Sequence, residues 1–288
     1  MMAQQPRDRR GRWRASPGDE ADLRLTSVYE LSEDDIVAQQ RHFGVSRDQV
    51  KHDFAVSHLL DAISNVSDKF IFYGGTALSR TVLNGLRLSE DVDLLSVGPR
   101  QVAAVALDGA IRGSLERNFG LVEANPRLDQ VRTDTDACLY RIGRVTVRVQ
   151  LINGEHYASW PTQSSTVSMR YSGMIGRGMT TFTPSGFACA KLSAWCDTTR
   201  DAPRDLYDLW AMAQQGMINA DAAVTFRRLG PSGGYPRRWM FPEKAPTQNQ
   251  WHDSIGHQCT PQVGPAEAYE RVVAAWVTAV SAAERGHR

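Results

Sequence analysis

The chain has 288 residues, of which 42% are hydrophobic and 23% are charged, as is typical of a globular protein with a sizeable core. Its formal net charge of +1 argues neither for nor against a nucleic-acid partner. The sequence has no run of 18 apolar residues, no secretory signal and no CxxC pair among its four cysteines, so we expect a cytoplasmic protein without membrane spans or a disulfide framework.

The first 24 residues are rich in arginine. Five arginines fall between Arg7 and Arg14 among proline, glycine and polar residues, and no hydrophobic periodicity is present. This pattern predicts a disordered basic arm over residues 1–24. Such an arm is either a solvated tail or a loose contact with phosphates.

The remaining elements follow in a helix–sheet–helix order. Up to residue 184 we predict helices at 33–42, 47–66, 77–84 and 99–118, strands at 70–73, 92–97, 121–124, 137–142 and 145–152, and a β-rich region at 163–183. Beyond it we predict helices at 186–199, 203–215, 219–228 and 266–284, with irregular sequence at 229–264. This order predicts an α+β protein with a mixed-sheet core domain at 25–184 and a helical domain at 185–288.

Two carboxylates are the first candidates for chemistry. Asp91 and Asp93 lie at the start of a predicted strand, where residues i and i+2 point to the same face. The two carboxylates repel each other unless a cation lies between them, and Mg²⁺ takes one or two carboxylates together with substrate phosphates. The pair alone also fits a solvated strand face.

A glycine pair provides a possible phosphate site nearby. Gly74 and Gly75 follow an apolar strand, and Thr76 can cap a short helix after them. Glycine lets the backbone approach a ligand closely, and the free N–H groups of a helix start favour an anion. The hydroxyls of Thr76 and Ser79 add donors. Although such a unit is often a simple tight turn, its combination with the two carboxylates predicts a Mg²⁺–nucleotide site.

Four short motifs occur in order along the chain. They are GGTAL at 74–78, LSEDVDL at 88–94, KLSA at 191–194 and RDLYDL at 204–209. In these motifs, which span about half of the chain, the sequence resembles the AbiEii/AbiGii-type nucleotidyltransferase toxins. That family includes the mycobacterial MenT toxins and belongs to the DNA polymerase β-like superfamily.

The resemblance implies a mixed-sheet nucleotidyltransferase core followed by a helical C-terminal half, an NTP substrate, Mg²⁺ and a neutralising antitoxin. It also implies transfer of a nucleotide to RNA, with the tRNA 3′ end as the expected acceptor, which would block translation. By motif position, Asp91 and Asp93 would hold the metal, and Lys191 and Asp208 would complete the catalytic site. The residues implied around the nucleotide are Gly74, Gly75, Thr76, Ser79, Ser89 and Lys191.

The residues themselves leave the later motifs open to two interpretations. Lys191 can be a surface lysine whose stem packs while its charge stays in water, or a point charge on a phosphate. Asp205 and Asp208 lie on one helix face, where either can form an ion pair with Arg204 or Lys191. Such pairs are common in structures without any function.

One position departs from the superfamily pattern. The superfamily usually has a third carboxylate on a strand after the Asp-x-Asp pair, and we align Gln150 to that position, with Arg148 on the same face. Glutamine can form hydrogen bonds but cannot serve as an anionic ligand or base. We therefore expect one metal ion rather than two, with Asp208 or Glu155 as a substitute carboxylate.

The segment 229–264 combines basic and aromatic residues. Arginines beside Tyr235, Trp239, Phe241 and Trp251 suit single-stranded RNA ends, with phosphates on arginine and bases on the rings. The same aromatic residues can instead fill gaps in the core. His252 and His257 in this segment lack the partners of a metal site, and we predict that they are not ligands.

Two functions besides RNA modification remain open at this stage. One is a transferase that attaches a nucleotide to a protein hydroxyl through the same site. The other is a nucleotide-binding regulator without catalysis, an interpretation suggested by Gln150.

Overall fold

The computed structural model describes residues 30–131, 136–197, 199 and 203–286; the arm predicted at 1–24 lies outside them. The helices are α1 Glu33–Phe43, α2 Arg47–Ser64, α3 Gly74–Arg80, α4 Arg100–Phe119, α5 Pro184–Trp195, α6 Pro203–Gln214, α7 Ala220–Leu229, α8 Gln248–Ile255 and α9 Pro265–Gly286. The strands are β1 Phe70–Tyr73, β2 Val92–Ser96, β3 Glu123–Asn125, β4 Cys138–Ile142, β5 Val145–Asn153, β6 Thr162–Val167 and β7 Arg177–Phe182.

The seven strands form one mixed sheet in the order β3-β4-β5-β2-β1-β7-β6. Strand β1 pairs antiparallel with β2 and parallel with β7, while β2 pairs parallel with β5. The remaining pairs, β3–β4, β4–β5 and β6–β7, are antiparallel. Because β2 is central and Val92, Leu94 and Leu95 on it are buried, its first residues are held in a fixed position.

Local signals explain the two helices that precede the sheet. The Ser32 and Ser46 side chains accept hydrogen bonds from the backbone N–H groups of Asp35 and Gln49, which caps α1 and α2. Gly44 ends α1 with φ +72°, a left-handed conformation that glycine adopts without strain. Helix α2 then packs its buried face against α4 and β5.

The helical half follows β7 directly. Thr183 caps α5, which packs against α6 and α7, and α9 lies across α6 and α7. Phe226 of α7 and Trp276 of α9 are both fully buried, with ring centroids 6.2 Å apart. One continuous cluster of buried apolar side chains runs through both halves of the chain. The α+β class and the helical C-terminal half are thus confirmed, whereas the domain limits at 24 and 184 stay predictions.

Two elements differ from the sequence prediction. Helix α3 begins at Gly74 rather than after Thr76, because the Thr76 hydroxyl donates to Ser89 Oγ (2.9 Å) and to the Asp91 carbonyl instead of capping the helix. Helix α8 lies inside the segment predicted to be irregular, where Thr247 and Gln250 form a capping box. Among the described helices, none has the length and apolar character needed to cross a bilayer.

Candidate active site

A cleft of about 1180 Å³ is lined by residues of both halves of the chain. Five of the predicted site residues line it: Gly74, Gly75, Asp91, Asp93 and Lys191. Four others, Thr76, Ser79, Ser89 and Asp208, are not among its lining residues. The cleft therefore gathers the glycine pair, the two carboxylates and the lysine from three separate parts of the sequence.

One of the two carboxylates, that of Asp93, lies against the glycine turn. Asp91 immediately precedes β2, and Asp93 within β2 pairs with Tyr73, the last residue of β1. Gly74 has φ +77°, and a Cβ atom at this position would collide with the Asp93 carboxylate. Glycine is thus required here both for the backbone conformation and for the close approach of the carboxylate. The side chain of Asp91 is 45% exposed and therefore accessible to a ligand.

The predicted hydroxyl contacts need correction. Thr76 and Ser79 are buried, and the Ser79 hydroxyl donates to the Thr76 carbonyl at 3.2 Å. Because the Thr76 hydroxyl is bonded to Ser89 and to the backbone of Asp91, these groups hold α3 against the start of β2. Direct contact of Thr76 or Ser79 with a nucleotide therefore does not fit this arrangement.

Lys191 is held between two carboxylates. Its Nζ lies 2.7 Å from Asp205 Oδ1 and 2.7 Å from Asp208 Oδ2, and its side chain is only 10% exposed. Although burial lowers the pKa of this ammonium group, the charges of Asp205 and Asp208 outweigh it and raise the pKa above its ordinary value. The lysine therefore stays charged, and it lines the cleft as a buried ion-paired cation rather than as a surface lysine.

Asp208 is more deeply enclosed than a general base would be. Arg87 binds it through two parallel contacts, from Nε to Oδ1 and from Nη2 to Oδ2, each 2.7 Å long. Burial alone would raise the pKa of the Asp208 carboxyl. The positive charges of Arg87 and Lys191 have the larger effect and lower this pKa to about 2. A carboxylate with such a low pKa and with both oxygens engaged is a weak base, so the geometry favours a role in positioning Lys191.

The position expected to hold a third carboxylate is adjacent to the pair. Gln150 of β5 is paired with Asp93 in the parallel ladder, and it lines the cleft. The strand carrying Gln150 thus lies directly beside the strand carrying Asp93. Arg148, two residues earlier, lies with its Nη1 atom 3.6 Å from Asp91 Oδ2. A cationic and an amide side chain thus occupy the positions at which the sequence resemblance led us to expect an acid.

The basic and aromatic segment 229–264 has two kinds of aromatic residue. Trp251 and Phe241 are buried, as expected for residues that fill the core. Trp239 is exposed and lines the cleft. The sequence pattern could not separate the two kinds, because it does not indicate which rings point inward.

Arg87 and Asp205 were not identified as site residues from the sequence. Arg87 directly precedes the motif at 88–94, but one arginine among many carries no signal. Its function in the structure is to neutralise Asp208 and to donate to Gln258 Oε1 at 2.7 Å. Within the described ranges, no group of three or more His, Cys, Asp or Glu side chains is arranged as a metal site. A cation here would therefore rely on Asp91, Asp93 and ligand oxygens.

Comparison with one solved structure supports a nucleotidyltransferase-like fold for this chain. The chain is similar to the MenT4 nucleotidyltransferase toxin of Mycobacterium tuberculosis, with a TM-score of 0.60, 20% identity, and coverage of 88% of this chain and 95% of that one. It is also similar to a candidate nucleotidyltransferase from H. pylori, with a TM-score of 0.49, 17% identity, and coverage of 84% and 98%. No curated protein matches the sequence.

The family model that matches this chain spans the whole candidate site. The model of the nucleotidyltransferase AbiEii toxins of type IV toxin–antitoxin systems matches residues 58–250, which include the glycine pair, both carboxylates, Lys191 and Asp208. This match extends over more than half of the chain. The chain therefore belongs to the AbiEii family of nucleotidyltransferase toxins of type IV toxin–antitoxin systems.

Proposed function

We propose that the protein transfers the NMP group of a Mg²⁺-bound NTP to a hydroxyl at the 3′ end of an RNA, with tRNA as the acceptor, and so blocks translation. The main observation behind this proposal is that Asp91, Asp93, the turn Gly74-Gly75 and Lys191 line one cleft, with the Asp93 carboxylate against Gly74 and the Lys191 cation near Gly75. This arrangement offers separate places for a metal ion and for a chain of phosphates.

The donor atoms fit a magnesium ion that arrives with its nucleotide. Mg²⁺ prefers oxygen ligands and is usually bound by one or two carboxylates together with substrate phosphates. Asp91 and Asp93 would hold it, and Gln150 beside Asp93 can contribute only a neutral amide. The ion would neutralise charge on the phosphates and favour attack at the α-phosphorus.

The chain's own residues provide binding and orientation. Lys191 comes from the helical half of the chain and presents its positive charge beside the glycine turn, with Nζ 3.9 Å from the place that a Cβ of Gly75 would occupy. Asp205 and Asp208 fix the lysine ammonium group from two sides. In phosphoryl transfer such positioning and charge neutralisation supply most of the catalysis. The acceptor hydroxyl oxygen forms the new bond to the α-phosphorus and loses its proton to solvent, while the bond from the α-phosphorus to the oxygen that bridges to the β-phosphorus breaks and pyrophosphate leaves.

Membership of a type IV toxin–antitoxin family also supports a cognate antitoxin as partner. We propose that this antitoxin neutralises the transfer activity. Co-expression of the protein with a candidate antitoxin, compared with expression of the protein alone, tests this by cell growth.

Labelled nucleotides test the proposed reaction. Purified protein is incubated with each α-labelled NTP, Mg²⁺ and total RNA, beside Asp91→Asn and beside Asp253→Asn, an exposed carboxylate on α8. We expect label in tRNA with the wild type and Asp253→Asn, and none with Asp91→Asn. Label in protein instead would support a protein-modifying transferase. Nucleotide binding without any transfer would support a non-catalytic regulator.

A further inference from the structure

Trp239 is the most exposed large hydrophobic side chain among the described residues, with 80% of its surface accessible. The other large hydrophobic side chains that are exposed among the described residues are aliphatic. The tryptophans at other described positions are buried or half-buried: Trp160, Trp195, Trp210, Trp251 and Trp276. The Trp239 indole lies at the candidate active-site cleft, which Pro231, Ser232 and Met240 also line. Such an exposed apolar side chain at a cleft indicates a binding role.

The backbone that carries Trp239 is anchored on both sides. Arg238 Nη2 donates to the Tyr269 hydroxyl at 2.7 Å, and Arg237 forms an ion pair with Glu284 at 3.0 Å, both on α9. On the other side Phe241 is buried against Trp195, with ring centroids 5.5 Å apart. The indole is therefore presented on a fixed frame, and a ligand that stacks on it does not first have to order the segment.

The chain segment that carries Trp239 is rich in arginine. Four exposed arginines belong to the same segment or to the end of α7: Arg227, Arg228, Arg237 and Arg238. Glu284 is paired with one of them, and Arg227 lies over the Tyr235 ring at 5.1 Å. An exposed aromatic ring among arginines matches the chemistry of single-stranded nucleic acid, with bases on the ring and phosphates on the guanidinium groups.

The cleft is large enough to hold the end of an RNA acceptor beside an NTP. Small-ligand pockets typically measure about 300–1,000 Å³, so a cleft of about 1180 Å³ has room for more than one nucleotide. In the proposed function, the NTP lies between the glycine turn, the carboxylates and Lys191. An RNA must also leave the cleft toward solvent, and its contacts therefore belong at the exposed edge where Trp239 lies.

We propose that the Trp239 indole is the platform on which the terminal unpaired base of the RNA acceptor stacks. This rests on the proposed function, because it takes the acceptor to be RNA. Trp239 then positions the 3′ hydroxyl and does not take part in the bond changes. Its loss is expected to weaken RNA binding without weakening NTP binding.

The test compares Trp239→Ala, Trp239→Phe and Leu121→Ala. Leu121 is 72% exposed, does not line the cleft, and so controls for loss of exposed apolar area. Stacking is worth about 1–3 kcal/mol per base, so Trp239→Ala should raise the KM for RNA between about 5-fold and about 150-fold. The KM for NTP should change less than twofold. The KM for RNA of Trp239→Phe should stay within about threefold of the wild-type value. The KM for RNA of Leu121→Ala should equal the wild-type value.

A second arm replaces the acceptor's terminal nucleotide by an abasic one and measures RNA binding at equilibrium in the Asp91→Asn background. Loss of the terminal base should weaken RNA binding to the protein that retains Trp239. The same loss should have little effect on RNA binding to the Trp239→Ala variant. Equal penalties with and without Trp239, or a raised KM for NTP in place of RNA, would overturn the proposal. If the wild type labels no RNA at all, the proposed function fails, and this binding arm still decides the role of Trp239.

Discussion

Gly74 is the residue at which backbone conformation and the proposed chemistry depend on each other most directly. It combines φ +77° with a carboxylate at the place of its missing Cβ. Gly74→Ala should lower the free energy of unfolding by about 1–2 kcal/mol from backbone strain and should also displace Asp93. We expect transfer to fall at least about tenfold, as measured with labelled NTP.

A matched control exists at Gly98, which has φ +80° and open space around it. Apart from its two chain neighbours, no described residue has an atom within 4 Å of the place that a Cβ would occupy there. Gly98→Ala should therefore show the same backbone strain in thermal unfolding but keep full transfer activity. Equal activity losses in the two variants would mean that strain, and not the contact with Asp93, limits the reaction.

The carboxylates Asp91 and Asp93 should tolerate amide substitution in the fold but not in the reaction. Asp91→Asn and Asp93→Asn preserve side-chain volume while removing the charge that would hold the metal. We expect transfer to fall at least about 100-fold, since charge stabilisation of the reacting phosphates is lost. Unfolding midpoints should stay within a few degrees of the wild type. Wild-type toxicity in both variants would refute the metal assignment.

Removal of one of the buried charges around Lys191 should reduce the stability of the fold. Asp208→Asn leaves Arg87 and Lys191 without a full counter-charge in a buried site, and breaking such a pair typically costs about 3–5 kcal/mol. Lys191→Ala should be destabilising for the same reason, whereas a surface lysine would be silent. Denaturant unfolding beside a transfer assay measures both effects.

Gln150→Ala is the comparison for these variants. Gln150 is a neutral residue at the cleft, and we expect a smaller loss of activity than in Asp208→Asn. An inactive Gln150→Ala together with an active, fully stable Asp208→Asn would contradict the positioning role of Asp208.

The sequence predicted the glycine pair, the Asp-x-Asp pair and Lys191 as parts of one site, because short motifs fix residue type and spacing. It did not predict that Thr76 and Ser79 face inward, nor that Arg87 neutralises Asp208. Both depend on which way side chains point after α3, β2 and α6 pack together. Such long-range contacts leave no trace in local spacing.

At the scale of elements, apolar runs and capping residues predicted most helices and strands to within a few residues. The start of α3 was misplaced, since a threonine that looks like a cap is used to bind the neighbouring chain segment. Helix α8 was missed because its eight residues lie in a segment rich in proline and glycine. For α3 a tertiary contact outweighed the local signal, whereas for α8 the local signal, the capping box of Thr247 and Gln250, was present in the sequence.

Helix α2 contains a titratable group whose environment predicts acid sensitivity. His58 is packed edge-on to Phe54 and Phe119, and burial lowers its pKa from 6.5 to about 4, against the opposing charge of Asp61. Because the unfolded chain binds this proton first, the stabilisation is present above pH 6.5 and is lost as the pH falls toward 4.

Between pH 7 and pH 5 we expect the free energy of unfolding to fall by about 1–2 kcal/mol through His58. His58→Gln should flatten this part of the profile, and His252→Gln, at an exposed position of α8, should not. Identical slopes in wild type and His58→Gln between these pH values would show that His58 does not titrate as described.

At the scale of the whole molecule, the site exists only because the two halves of the chain face each other. The sheet supplies the glycine turn and the carboxylates, while α5, α6 and the segment after α7 supply Lys191, Asp205 and Trp239. The sequence predicted both halves and their order. It could not predict the shape of the cleft between them, which depends on how α5 to α9 pack as a body.

The most direct test of the account is the mass of the acceptor's 3′-terminal fragment after incubation with protein, NTP and Mg²⁺. Purified tRNA is digested, and its terminal fragment is compared by mass spectrometry after treatment with wild type or with Asp91→Asn. We expect a gain of one or more NMP units that requires Mg²⁺ and is absent with Asp91→Asn. An unchanged tRNA fragment together with a protein that gains the mass of NMP would contradict it.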